Sequence, residues 1–376
     1  MRLRRLVPAV LAAALAACAQ NTTPIEKKGY TGKPPLGQAI SEAELPLETW
    51  AWIPFDDAVC ADGSTTGLAV NRGSGSDLLV FFDGGGACWD YATCAAGTAV
   101  DDHYGPAQWD VELRDYVPSS LTDRANLPPS LAGATIVFVP YCTGDVHGGS
   151  NVKVYGNAVF SETWRHVGHA NVLAYLARLA PTFPSPRKLV VAGSSAGGFG
   201  ALVSYEAFRW YWPEARGYLV DDSGPALVNN DVPADLRDAF YGSWHLGEAL
   251  DPVCVECRSN LSAAFSELSS SHAGDRIAFL SHVRDPVMAT FMLSTPDAFE
   301  ASLRELEALV FAPTGNARVF YDTDGGQLDA HMLLTPATPF AGGSYVASHE
   351  EGGTTLAAWL ELMVSDDPRW TTVMPP

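Results

Sequence analysis

The chain has 376 residues, 47% of them hydrophobic and 18% charged, with a formal net charge of −20. This length allows one large core, and the composition excludes a disordered or low-complexity protein. With 43 acidic against 23 basic residues the surface repels polyanions, so no nucleic-acid partner is expected.

Arg2, Arg4 and Arg5 precede an apolar run over residues 6–17, too short to span a membrane as a mature helix. The run closes on Leu15-Ala16-Ala17-Cys18, which resembles a bacterial lipobox. Residues 1–17 are therefore expected to be a lipoprotein signal peptide, with Cys18 lipidated and serving as the only contact with the membrane. Export to the cell envelope follows, or secretion if the signal is simply cleaved. Without residues 1–17 the balance is 20 basic against 43 acidic residues, a net −23. Residues 18–46 carry Pro, Gly, Thr and Lys without apolar periodicity and read as a flexible tether to a catalytic domain over 47–376. Six further cysteines, at 60, 88, 94, 142, 254 and 257, favour disulfides in an oxidising compartment.

Short apolar runs at 77–82, 135–139, 188–192, 217–220, 276–281 and 317–321 read as strands. Helix-like stretches at 162–179, 198–212, 296–311 and 354–363 alternate with them, the first stopped by Pro181. This alternation predicts a mostly parallel sheet flanked by helices on both faces. Residues 226–271 lack a strong period and are expected to form a cap or insertion. Ligands bind at the carboxyl ends of the strands of such sheets, so chemistry should follow the strands.

Gly193-Ser194-Ser195-Ala196-Gly197 matches G-x-S-x-G between the strand at 188–192 and the helix opening at 198. That context is a nucleophile elbow and predicts an α/β-hydrolase fold with Ser195 as nucleophile. A phosphate-binding turn is the alternative, but the Walker lysine is missing. Asp83-Gly84-Gly85-Gly86-Ala87 follows the strand at 77–82, where consecutive glycines leave backbone N–H groups to converge on an oxyanion. The Ala196 N–H would join them. A serine needs a histidine to take its proton and a carboxylate to orient that histidine, in the chain order Ser, acid, His. His331 follows the last strand in a loop containing Asp324-Gly325-Gly326-Gln327 and is the favoured base. His349 is the fallback, and His282 competes for position with the acid. Asp285, after the strand at 276–281, is the favoured acid, with Asp221 and Asp222 one strand earlier as alternatives.

The ordered segments Val59-Cys60-Ala61-Asp62-Gly63-Ser64, Gly84-Gly85-Gly86-Ala87-Cys88, Pro140-Tyr141-Cys142-Thr143-Gly144-Asp145-Val146, Gly193-Ser194-Ser195-Ala196-Gly197-Gly198 and Asp222-Ser223-Gly224 resemble the pectin acetylesterase family, which includes the Notum carboxylesterases. The resemblance covers roughly residues 50–340. It implies a triad of Ser195, Asp285 and His331 and oxyanion donors at Gly85, Gly86 and Ala196. It also implies disulfides Cys60–Cys142 and Cys88–Cys94. The chain departs from the family beside the glycine run, where a tryptophan is usual and Gly86-Ala87 stands here, and after Asp222-Ser223-Gly224, where a bulky residue is usual and Pro225 stands here. Both positions border the substrate, so acyl and alcohol preferences do not carry over.

Other constellations carry less. Glu162, His166 and His169 would share a helical face, but the H-E-x-x-H order of a zinc site is absent. Cys254 and Cys257 suit a local disulfide in the cap, and Trp244 there could serve as a substrate platform. The expected function is carboxylic ester hydrolysis through an acyl-enzyme, with no metal or organic cofactor. Its substrate would be an acetylated glycan, a short-chain ester or a polyester. The rival is a catalytically inert glycan-binding or surface-interaction lipoprotein on the same fold.

Overall fold

The computed structural model describes residues 35–376, apart from 96, 98–100, 157–160, 229–230 and 324–329. The expected signal peptide, Cys18, the first part of the tether and the glycine run before His331 lie outside the described residues. Strands β1 (Trp50–Val59) and β2 (Thr65–Asn71) pair antiparallel, and β3 (Leu78–Phe82) follows. Helices α1 (Tyr91–Ala95) and α2 (Pro106–Asp115) lead to β4 (Thr135–Val139). Next, β5 (Asn151–Gly156) and β6 (Ser161–His166) form a separate antiparallel pair before α3 (Gly168–Thr182). The chain continues through β7 (Lys188–Ser194), α4 (Ala196–Tyr211), β8 (Arg216–Asp222), α5 (Ala234–Trp244), α6 (Gly247–Leu250) and α7 (Ala263–Ser271). It closes with β9 (Arg276–His282), α8 (Pro286–Phe291), α9 (Pro296–Leu306), β10 (Ala317–Asp322) and α10 (Leu356–Val364).

The main sheet has the order β1-β2-β4-β3-β7-β8-β9-β10, parallel from β4 to β10. Its central strands are buried on both faces, which is why they read as unbroken apolar runs. In β3, Leu78, Val80 and Phe82 enter one core, while Leu79 and Phe81 enter the core on the opposite face. The two-residue period of a strand thus feeds two layers of helices from one segment. The strands expected from 77 to 321 all form, most extended by one or two residues at their carboxyl ends.

Several elements differ from expectation. Residues 162–166 are not the start of a helix but strand β6, with the helix beginning at Gly168. Glu162, His166 and His169 therefore share no helical face. The π-turn Glu307–Phe311 replaces the last part of the expected helix at 296–311. Pro181 does not stop α3 but sits inside its last turn. Proline has no N–H to offer the carbonyl four residues back; the Ala177 carbonyl instead accepts the N–H of Gly37 at 2.8 Å. Ile40 and Leu45 are buried beside it, and the Ile40 N–H donates to Thr182 Oγ1 at 2.8 Å. Residues 37–45 thus belong to the folded unit rather than to a tether reaching residue 46.

Disulfides join Cys60 to Cys142, Cys88 to Cys94 and Cys254 to Cys257. Of the region expected as a cap, α5 and α6 lie beside Ser195. Helix α7 reaches the same space through Ala264 and also packs on the sheet, its Phe265 ring 5.9 Å from that of Phe279 in β9. Among the described residues no helix is long and apolar enough to cross a membrane.

Candidate active site

Ser195 stands between the end of β7 and the first residue of α4. Its φ of 57° and ψ of −121° lie in a region that L-residues rarely adopt. The strain is sustained because the turn is closed tightly around it. A Cβ on Gly193 would come within 2.2 Å of the Gly197 carbonyl oxygen, and one on Gly197 within 2.0 Å of the Phe82 oxygen. The Ser195 N–H donates to the Asp222 carbonyl at 2.7 Å, so the elbow is anchored to β8 as well. Ser194, the neighbouring hydroxyl, is fully buried and donates to Asp222 Oδ2 at 2.6 Å, away from any substrate.

His331 Nε2 lies 2.8 Å from Ser195 Oγ, and His331 Nδ1 lies 2.6 Å from Asp285 Oδ2. Asp285 is fully buried where β9 gives way to α8, and its other oxygen caps that helix. Asp285 Oδ1 accepts the N–H groups of Val287 and Met288, each at 2.9 Å. Capping fixes the carboxylate, and the carboxylate in turn selects the imidazole tautomer with its proton on Nδ1. Nε2 is then left as an acceptor facing the serine hydroxyl.

The alternatives from the sequence go elsewhere. Asp222 accepts from Ser194 Oγ and from the N–H groups of Leu333 and Leu334. His349 Nδ1 lies 2.7 Å from Asp322 Oδ2, and His282 Nδ1 lies 3.8 Å from the same oxygen. Neither histidine bonds Ser195.

The glycine run lies against the elbow, where a Cβ on Gly84 would meet the Ser194 carbonyl at 2.7 Å. Gly85 and Gly86 have φ of 146° and 73°, values that glycine adopts without strain. Among the described residues no acceptor takes the N–H of Gly85, Gly86 or Ala196. The last is the first N–H of α4, whose amino end favours negative charge. Behind this loop lies His147, which sequence reasoning missed. Burial pulls its pKa down to about 4, so it is neutral, and Nε2 donates to the Asp83 carbonyl at 2.9 Å. The Tyr141–Val146 segment holds His147 in place. Asp145, fully buried, accepts from the N–H groups of His147 and Gly168 and from Thr143 Oγ1.

An apolar cleft opens at Ser195. It is lined by Trp89, Phe199, Phe240, Trp244, Met288 and Phe291, among others, and leaves about 60 Å³ of free space. Trp244 stacks on Phe240 at 4.3 Å and donates through Nε1 to the Cys88 carbonyl at 2.7 Å. The ring is therefore a fixed wall of this cleft rather than an exposed platform. Trp89 also went unread in the sequence. Its place directly after Cys88 was the available signal, because the Cys88–Cys94 disulfide holds that turn beside the elbow.

A family model described as pectinacetylesterase matches residues 49–280. Palmitoleoyl-protein carboxylesterase NOTUM of Drosophila melanogaster is 28% identical over 207 residues, which cover 51% of this chain and 30% of that protein. Pectin acetylesterase 5 of Arabidopsis thaliana is 25% identical over 239 residues, covering 61% of this chain and 52% of its own. The matched segment thus spans about a third to a half of these relatives. The solved structure of the Wnt deacylase Notum from Drosophila superposes with a TM-score of 0.59 at 15% identity, covering 88% of this chain and 96% of that one. The shared architecture is the α/β-hydrolase fold.

Proposed function

The chain belongs to the pectinacetylesterase family, whose chemistry is carboxylic ester hydrolysis, and from this and the geometry around Ser195 we propose a serine esterase acting on short acyl groups. The carrying observation is the relay from Ser195 Oγ to His331 Nε2 at 2.8 Å and from His331 Nδ1 to Asp285 Oδ2 at 2.6 Å. Ser195 Oγ attacks the ester carbonyl carbon and gives its proton to His331 Nε2. Asp285 balances the resulting imidazolium, and the N–H groups of Gly85, Gly86 and Ala196 receive the oxyanion. Collapse of the adduct breaks the bond to the alcohol oxygen, which leaves with the proton from His331. Water then attacks the acyl-enzyme by the same route, releasing the acid and restoring Ser195.

The size of the cleft sets the acyl preference. On a scale where one water needs about 10–15 Å³, 60 Å³ holds about four to six water-sized groups. A methylene is of similar size, so an acyl chain of about four to six carbons fills the cleft. Each methylene it buries contributes about 0.8 kcal/mol. Acetyl leaves most of that apolar surface unused. A fatty chain requires the walls built by Trp89, Phe240 and Trp244 to part.

Turnover of p-nitrophenyl esters from acetate to palmitate tests both parts. We expect kcat/KM to peak between butyrate and hexanoate, and Ser195→Ala to lose at least ~10³-fold while staying folded. Undiminished turnover in Ser195→Ala would remove the mechanism. A profile still rising at palmitate would remove the short-acyl assignment alone.

A further inference from the structure

Apart from the Ser195 site, a second set of buried polar side chains sits at the carboxyl edge of the sheet. His282 ends β9 and Asp322 ends β10, and the two are paired in register. His349 joins them from the segment that runs from His331 to α10. One donor atom from each of the three lies within 4.8 Å of the others, and all three residues are buried. The His349 Nδ1–H donates to Asp322 Oδ2 at 2.7 Å, which leaves Nε2 of that ring unprotonated. Among the described residues this Nε2 is buried without a hydrogen-bond partner. The three side chains line a polar cavity of about 430 Å³ together with Thr323, Thr338 and Ser348.

From this cluster we infer a binding site for a divalent transition-metal ion of the zinc type. Two imidazoles and one carboxylate are the donors such ions take, whereas calcium and magnesium favour all-oxygen sites. The ion takes the place of the proton between His349 Nδ1 and Asp322 Oδ2, with His282 Nδ1, 3.8 Å from the same oxygen, as the third donor, and that proton moves to His349 Nε2. The cavity supplies water for the remaining positions. Around a tetrahedral zinc the donors sit about 3.3 Å apart, so the trio closes on the ion by rotation of the two imidazoles. The ion would pin the segment that carries His331 to the ends of β9 and β10. It takes no part in the ester chemistry, and its role is to hold that segment.

The test uses chelator-treated full chain, titrated with Zn²⁺ by calorimetry and melted with and without excess Zn²⁺. Co²⁺ is added as a spectroscopic probe. The expected result is one Zn²⁺ per chain, a rise in Tm of roughly 3–6 °C, and a visible Co²⁺ band of low coordination number. His349→Gln and, independently, His282→Gln should weaken binding at least ~10-fold and cut the rise in Tm by about 2 °C or more. Two variants are used so that a folding defect in one does not decide the matter. Hydrolysis of a soluble ester by the metal-free protein, read in the same samples, keeps this result separate from the esterase reading. Equal Zn²⁺ binding by wild type and both variants, or no binding and no shift in wild type, would overturn the inference.

Discussion

At the end of β8 the chain sets two acids in a row, and their surroundings separate their roles. Asp221 is fully buried, and burial pushes its carboxyl well above the usual range even though it accepts the Gly224 N–H. Burial also pushes Asp222 upward, but hydrogen bonds from Ser194, Leu334, Leu333 and Ser223 work against it. The donors on Leu333 and Leu334 lie just past His331, and Ser223 Oγ bonds the His331 carbonyl. Asp222 therefore acts on the imidazole by holding its backbone, while Asp285 acts on its ring. Asp222→Asn turns an acceptor into a donor that faces donors, so Tm should fall by several degrees and kcat by about 10-fold. Asp285→Asn should keep Tm nearly unchanged, because Asn also caps a helix well. It should cost about 10³–10⁴ in kcat, because the imidazole loses the partner that sets its tautomer. Thermal melts beside kcat on one activated ester separate the two. An inactive Asp222→Asn with unchanged Tm, beside an active Asp285→Asn, would exchange the roles.

Helix α3 shows how one residue decides the docking of a distant segment. Because Pro181 leaves the Ala177 carbonyl without its helical donor, Gly37 supplies one, and Ile40 and Leu45 follow into the core. Burying two such side chains contributes about 3–6 kcal/mol as an upper bound. A chain begun at residue 47 should then melt at least ~5 °C below one begun at residue 35. Equal melting temperatures would show that this segment contributes nothing. The parallel strands were legible because both faces are covered, so each has an apolar run through its middle, with polar residues confined to its ends. The outer pairs were not. Strand β1 carries Pro54 and two aspartates at the sheet's edge, and β5 exposes Val152 and Val154. In β6, Glu162 and His166 stand four apart and imitate a helical face, although Thr163 and Trp164 between them favour a strand. The same limit applies at the site. Ser195 and its flanking glycines stand out because a tight turn restricts residue type at fixed spacing. The grip of Asp222 on Leu333 and of His147 on Asp83 joins segments 111 and 64 residues apart, and no local pattern marks either contact.

Across the whole molecule, buried titratable groups pull stability in opposite directions as pH changes. Burial draws His147 and His169 down to about 4. Between the usual value of about 6.5 and 4 the unfolded chain binds their protons and the folded one does not. Their stabilisation is therefore present above that window and is lost as pH falls through it. The acids behave in the reverse sense. Glu112 is pushed up to about 7 by burial and then by Asp101 and Asp115, while Asp83 and Asp221 are pushed well above the usual range, chiefly by burial. A folded form that keeps its protons is favoured at low pH, and this advantage is lost as pH rises past the ordinary carboxyl range. From about pH 5 to 6.5 the two groups oppose each other, so Tm should fall less steeply per pH unit than it does above pH 7. Above pH 7 the histidines are neutral in both states, so only the acids still act. Each one costs about 1.4 kcal/mol per pH unit while its folded form holds a proton that the unfolded form has lost. Self-repulsion in a chain of net charge −20 acts in the same direction. Tm should thus fall by at least ~3 °C between pH 7 and 9, and Asp221→Asn should flatten that decline. A level or rising Tm over this interval would mean that Asp83 and Asp221 ionise in the folded protein and that their carboxylates find compensation there.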